Sequence, residues 1–498
     1  MNDTATETAK TRKPNIGSDP TKGSLVKRWQ LGFYAFAIGA SAILIGASLW
    51  YLFTGRFSRI VTAAAVFVTG LSWSLLSANN DVFEEADGIK IGSAEPELVG
   101  FIEQVAAQVG AEMPDAIYLV TTAEFGIVES TRYFGYKVDK TVLTIGLPYL
   151  QSLTRQELAA LLAYELALHA DIGVDEGVRA QRGLRSARDL IKIERQGFVN
   201  GVYGSYARKM FRSVGGVGVA QEVAADKAAT AAYGSSALLS ALEKLDDTAV
   251  AFDQLLREYV VPALQHQMHP ADMYGGFGEF LASPVRAEER ARQVEKRRAK
   301  ERNEFDLHLM PTERIARIES RPSEPAQITV DQADNAAHTL LEPAAKSTEI
   351  VVGSWATKLM TQRTEPQSWG QLVEEVYSVK TQSLASMVFE NEIDADDQLE
   401  RALRWSEDDE WVHVDGSMEA CLKSIKDPTD RRTKWARCVV VEAAAATGAY
   451  SWQHSWDGPP VLVDSAGESF DAIGIAAMIA NGEAEKARSA FDSATSGV

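Results

Sequence analysis

Between Leu31 and Phe53 the chain runs for 23 positions without a charge, long enough as a helix to cross the hydrocarbon core of a bilayer. A second apolar run, Ile60 to Ala78, follows a short turn holding Gly55, Arg56 and Arg59. The pair predicts a transmembrane helical hairpin, with Trp29, Trp50 and Tyr51 at the membrane–water boundaries. A signal peptide is the rival reading, but the apolar stretch starts too late and is too long, and no small-residue cleavage site interrupts the hairpin. The arm before the first helix carries Lys10, Arg12, Lys13, Lys22, Lys27 and Arg28, against two arginines in the turn, which favours a cytoplasmic N-terminus. Two crossings return the chain to the same side, so the expectation is a multi-pass protein of the cell membrane. Its soluble domains, from about Asn79 onward, would be cytoplasmic.

Beyond the hairpin the pattern is that of a mainly helical α+β chain. Leu98, Phe101, Ile102, Val105 and Val109 give helical spacing to Pro96–Ala111, while Ala116–Val120 and Thr141–Ile145 are short β-rich runs. Thr154 and Glu157 form a capping box, opening a helix through Leu158, Leu161, Leu162, Leu166 and His169. A Pro-containing break, Arg321–Pro325, predicts a boundary near 320 to 350. The expected division is a polar basic arm (1–30), two transmembrane helices (31–78), a first soluble domain (95–320) and an acidic C-terminal domain (350–498). Trp405, Trp411, Trp435, Trp452 and Trp456 supply that last part with material for its own core. No internal repeat and no phosphate-binding glycine loop is present.

Charge narrows the function. With 50 Lys+Arg against 69 Asp+Glu the formal net charge is −19, which argues against a general nucleic-acid binder, since phosphate neutralisation needs a basic surface. Cys421 and Cys438 are too far apart in sequence for a CxxC metal or redox motif. From Glu176 to Arg212 nine basic residues face three acidic ones; the segment reads either as a helix on anionic lipid headgroups or as a solvated helix face. The charged run Ala287–Glu304 reads as an exposed helix.

The run Thr141–His169, TVLTIGLPYLQSLTRQELAALLAYELALH, is a strand, a turn and a capped helix. It resembles the integral-membrane zinc metallopeptidases of the CAAX-prenyl-endopeptidase and HtpX type, whose corresponding helix carries H-E-x-x-H. Gln221–Ala229 (QEVAADKAA) is similar to that family's E-x-x-x-D segment, and Asp306–Ile315 (DLHLMPTERI) to its D-T-H-P-x-x-x-E-R-I, keeping His308, Glu313 and Arg314. The resemblance spans about residues 95 to 320 and implies a zincin-like domain. It also implies that Glu165 holds the general-base position, that Glu222 holds the third-ligand position with Asp226 as companion, and that His308 lies near the cleft.

Where that family has its two ligand histidines, this chain has Tyr164 and Leu168. A leucine cannot bind a metal, and a neutral phenol with a pKa of about 10 is a poor zinc ligand. His169 comes one residue late, a rotation of about 100° around the helix, which leaves it as the alternative candidate ligand. Without zinc no water is activated for Glu165 to deprotonate. The expectation is therefore no cofactor, with zinc only if non-standard ligands rebuild the site. A hydrogen bond from Tyr164 to Glu222 is expected in place of metal, and introducing Tyr164→His with Leu168→His is expected to restore zinc binding. His266 and His269, spaced i, i+3, read as ordinary loop or helix-end residues, and His338, His413 and His454 show no partners in sequence.

The leading functional expectation is a membrane-anchored pseudopeptidase or scaffold. Its partners would be the bilayer, through two helices, and a peptide or protein held along a groove edged by Thr141–Ile145; no nucleic acid is expected. The alternative is an active zinc-dependent membrane endopeptidase with non-standard ligands. A third reading places the function in the acidic C-terminal domain.

Overall fold

The computed structural model describes residues 22–496 apart from 56–58, 78–87, 93–94, 133–136, 171–184, 186–197, 215, 300–308, 323–324, 342–351 and shorter gaps beyond. The basic arm before residue 22, Asn79, His308, most of the basic segment Glu176–Arg212 and the end of the charged run thus lie outside the described residues. The chain is mainly helical, and it divides into two compact units. Met1–Val250 and Ala291–Val351 make the first; Ala251–Arg290 and Val352–Val498 make the second.

In the first unit, helices α1 (Lys22–Phe53) and α2 (Arg59–Ser77) pack against each other. Their contact is made by small residues: Ala37 and Ala65 are buried, and the hydroxyls of Ser41 and Ser72 lie 3.2 Å apart beside the Ala37 carbonyl. Many of the large apolar side chains are exposed, with Ile43 73%, Trp50 70%, Phe67 58% and Trp73 73%, whereas Phe33 is fully buried. The stretch Arg28–Phe53 is long and apolar enough to cross a membrane, whereas the second apolar stretch, Arg59–Gly70, is shorter.

A four-stranded sheet follows, built from β1 (Gly88–Ile91), β2 (Ala116–Val120), β3 (Phe125–Arg132) and β4 (Lys137–Gly146) in the order β1-β2-β4-β3. β2 runs parallel to β4, and the other two pairs are antiparallel. The groove expected along Thr141–Ile145 is therefore misplaced. Those residues lie in β4, whose two sides are taken by β2 and β3, so the open edge on that flank belongs to β3.

Helix α3 (Pro96–Val109) buries Leu98, Phe101, Ile102 and Val105 and ends at Gly110, which is in the left-handed conformation. After the short α4 (Leu147–Ser152) comes α5 (Arg155–His169), opened by the expected capping box: Thr154 accepts from the Glu157 N–H, and Glu157 Oε2 accepts from the Thr154 N–H at 2.7 Å. Helices α6 (Phe198–Val214), α7 (Gly216–Tyr233) and α8 (Ser235–Leu255) follow, α6 against α1 and α7 against α5. The charged run forms a helix, Pro284–Arg298, and α9 covers Pro311–Glu319.

The segment past the Pro-containing break is no linker, for it straps the start of α5. The Asn335 and Ala333 carbonyls accept from the Arg155 and Gln156 N–H groups, and Gln156 Nε2 donates to the Ile328 carbonyl at 3.0 Å. These bonds satisfy helix-end donors that have no partner within the helix.

In the second unit β5 (Met268–Pro270) pairs with β6 (Glu365–Gln367), and β7 (Ser451–Gln453) with β8 (Val461–Val463). Six further helices supply its core: α10 (Trp369–Ser386), α11 (Ala395–Glu407), α12 (Val412–Cys421), α13 (Pro428–Ala446), α14 (Ala472–Ala480) and α15 (Ala484–Ser496). Trp411 and Trp435 are buried at its centre with Leu403, Val414, Met418 and Phe491. Ala251–Arg290 falls within the 95–320 interval of the resemblance yet packs with the C-terminal unit. Tyr259 and Phe280 meet Trp456 at ring-centroid distances of 5.6 and 5.8 Å, and Arg286 Nε donates to the Trp456 carbonyl at 3.0 Å.

Candidate functional site

Helix α5 is buried along almost its whole length, and Tyr164 and Leu168 are both 4% exposed. Facing it, α7 carries Glu222 and Asp226 one helical turn apart, 2% and 0% exposed. Helix α9 brings in Arg314. The guanidinium carbon of Arg314 lies 3.5 Å from the centroid of the Tyr164 ring, its Nε donates to Asp226 Oδ1 at 2.9 Å, and its Nη2 is 2.7 Å from the same oxygen. The residues that stand at the helix grip and at the companion carboxylate are thus joined by a fixed organic cation.

The electrostatics follow from burial. Withdrawal from water raises the Tyr164 phenol well above its ordinary value, against the pull of the Arg314 charge. It raises the Asp226 carboxyl too, with Arg314 opposing. Burial works against the Arg314 charge, but Tyr164, Asp226 and Glu222 together leave its pKa above that of an ordinary arginine. The guanidinium is the charged member that this pocket is built to keep.

Glu222 Oε2 accepts the backbone N–H of Leu309 at 2.8 Å. Among the described residues no hydrogen bond joins it to Tyr164, so the expected phenol–carboxylate bond is replaced by a backbone contact. Glu222 and Asp226 thereby fasten α7 to the start and middle of the same downstream segment, one through Leu309 and the other through Arg314. Glu165 is half-buried on the side of α5 that meets β3. A Cβ built on Gly126 would stand 3.4 Å from Glu165 Oε2, and the Gly126 φ of +148° is one that side chains rarely allow. That glycine lets the edge strand run close beside the carboxylate.

His169 turns away from this group: its Nδ1 is 2.9 Å from the Glu165 backbone carbonyl, a local helix-end contact and not a pairing with the carboxylate. His269 Nδ1 lies 3.0 Å from Thr364 Oγ1, His413 stacks on Trp405, and His454 stacks on Trp369. His308 lies outside the described residues. The structure therefore joins Tyr164 to Asp226 through Arg314, sets Glu222 one turn from Asp226, leaves Glu165 on the β3 side of α5, and adds two residues that the sequence left without a role. Arg314 had a signal, a retained arginine far along the chain from two carboxylates at i, i+4. Gly126 had none.

Zinc fits this donor set poorly. Tyr164 offers its ring face to a guanidinium, Leu168 has no donor atom, and Asp226 is already paired, so a divalent cation would have to enter beside an arginine charge. Among the described residues no three His, Cys, Asp or Glu side chains are grouped so as to hold a metal ion. Comparison of the chain with family models, with curated proteins and with solved structures finds no match.

Proposed function

We propose that this chain is a membrane-anchored, non-catalytic relative of the integral-membrane zinc metallopeptidases, in which the peptidase-like domain holds an extended peptide or a partner protein. The observation that carries the reading is that Tyr164 and Leu168, both buried, stand at the two positions where the family resemblance calls for ligand histidines, and that the face of Tyr164 is taken by the Arg314 guanidinium. The edge strand β3 supports the binding role. Main-chain groups of an edge strand can pair with an incoming strand without a metal, and Gly126 brings this one beside Glu165. The anchor in this reading is the pair α1 and α2 as two crossings, supported by their many exposed large apolar side chains.

The test is elemental analysis of the detergent-purified protein. The natural chain is expected to carry far less than one zinc per molecule. Tyr164→His with Leu168→His supplies the two missing imidazoles and is expected to raise the zinc content. Stoichiometric zinc in the natural chain, together with peptide cleavage that a chelator abolishes, would establish the active-peptidase alternative instead.

A further inference from the structure

We propose that a cavity between α3, the end of α7 and residues 328–331 of the strap is a binding site for a primary alkylamine. Asp331 and Tyr233 hold its ammonium group, and Phe101 and Val105 carry its hydrocarbon part. The site depends neither on the peptidase resemblance nor on the membrane helices.

The cavity has a volume of about 230 Å³. One water needs roughly 10–15 Å³ and sites for drug-sized molecules begin at roughly 300 Å³, so the space suits a molecule of a few carbons. Phe101, Gln104, Val105 and Gln108 recur at helical spacing on one face of α3, and all four line it. Phe101 and Val105 are 8% and 1% exposed, a floor that suits hydrocarbon and not a hydrated metal ion. The other wall is held by one glutamine and one carbonyl. Gln156 Nε2 donates to the Tyr233 and Ile328 carbonyls at 3.1 and 3.0 Å, and its Oε1 accepts the Val330 N–H at 3.0 Å. The Ala232 carbonyl accepts from the Gln327 and Ile328 N–H groups at 3.1 and 2.9 Å. The strap is thereby fixed to the end of α7, and the cavity is a built feature of the fold.

Tyr233 is the residue that points to a ligand. It is 2% exposed and lines the cavity, yet among the described residues its hydroxyl has no hydrogen-bond partner. A buried phenol ordinarily has one, and here the place for it is the cavity. Burial pushes this phenol up to about 12, so it stays neutral and its oxygen can both donate and accept. Charge selects the class of ligand. Asp331 also lines the cavity and has neither an ion pair nor a hydrogen bond from its side chain among the described residues, and no Lys or Arg is among the residues that line it. An anion meets only repulsion there, whereas a cation meets an open carboxylate. The three N–H donors of a primary ammonium match the Asp331 carboxylate, the Tyr233 oxygen and a glutamine carbonyl of Gln104 or Gln108. A quaternary amine has no such donors.

The test uses the full-length protein in detergent, with putrescine as the probe and 1,4-butanediol as its uncharged analogue of the same chain length, and reads amide hydrogen exchange over 101–108 and 326–333. At putrescine about ten times its Kd, exchange through openings that release the ligand is expected to slow by about tenfold, while butanediol leaves it unchanged. Asp331→Asn is expected to weaken putrescine binding by about two- to fivefold, the range of an exposed ion pair. Tyr233→Phe is expected to weaken it by about two- to tenfold and to leave the Tm without putrescine unchanged, since its hydroxyl has no partner to lose. No slowing at millimolar putrescine overturns the proposal, as does equal slowing by butanediol. Equal slowing in the second unit overturns it too, because it marks a general effect of a dication on an acidic protein. A lower Tm for Tyr233→Phe in the absence of putrescine would give the hydroxyl a structural role and likewise overturn the assignment.

Discussion

Arg314 is held by an aromatic face and a carboxylate at once. It is 9% exposed, its charge is matched to the fully buried Asp226, and the face of Tyr164 covers it. A desolvated cation on an aromatic face is worth about 2 kcal/mol, but the larger effect lies in removing one partner of a buried pair. Arg314→Ala strands the Asp226 carboxylate in a dry pocket and is expected to cost about 3–5 kcal/mol, read as an earlier midpoint in chemical unfolding of the first unit. Arg314→Met combined with Asp226→Leu removes both charges and is expected to cost much less. A double variant as unstable as the single one would show that the packing, not the charge, carries the contribution. At Gly126 the expected effect is conformational: Gly126→Val puts a β-branched residue at φ +148° against Glu165, at a cost of about 1–3 kcal/mol, measurable by the same unfolding assay.

Helix α5 shows what an element adds to its residues. Burial pushes Glu157 up, but hydrogen bonds from Lys244, Ser240 and the Thr154 backbone outweigh it and hold the carboxyl below its ordinary value. A folded-state pKa below the unfolded one means that the stabilisation is present above the unfolded value of about 4.3 and is lost as pH falls through the folded value. Glu157→Gln is therefore expected to lower stability at neutral pH and to flatten the acid limb of a stability–pH profile; an unchanged limb would remove Glu157 from that account. This element was legible in the sequence because its start is encoded locally, in Thr154 and Glu157. The same holds for α3, where helical spacing alone locates the buried face, and for β2, an unbroken β-rich run that is buried on both faces. Strand β3 was not legible. Its sequence, FGIVESTR, has a glycine at its second position and alternates only loosely, because a half-exposed edge strand is shaped by its neighbour β4 more than by its own pattern. The Arg314 pocket was half legible: motif spacing points to Tyr164, Glu222 and Asp226, but a contact across 88 residues between Asp226 and Arg314 has no local signature.

At the scale of the whole molecule the sequence suggests consecutive domains, and the chain departs from that. Ala251–Arg290 leaves the first unit, packs with residues beyond Val352, and is followed by Ala291–Val351, which returns to the first. A truncation after about residue 350 therefore does not isolate a finished domain. It strips Tyr259, Phe280 and Arg286 of Trp369 and Trp456, and their rings and the half-buried Glu258–Arg286 pair lose their cover. The truncated protein is expected to aggregate, or to show fast amide exchange across 251–290, when purified beside the full chain; a monodisperse product with unchanged protection there would refute this division.

That excursion also has a meaning for the order of events at the ribosome. Once Arg290 has been made, 166 more residues must follow before Trp456 exists, a wait of roughly 8–33 s at usual synthesis rates. During it the stretch from Ala251 to Arg290 trails from the nascent polypeptide, with Tyr259 and Phe280 lacking the Trp456 ring they finally meet. Chaperone demand should peak in that interval.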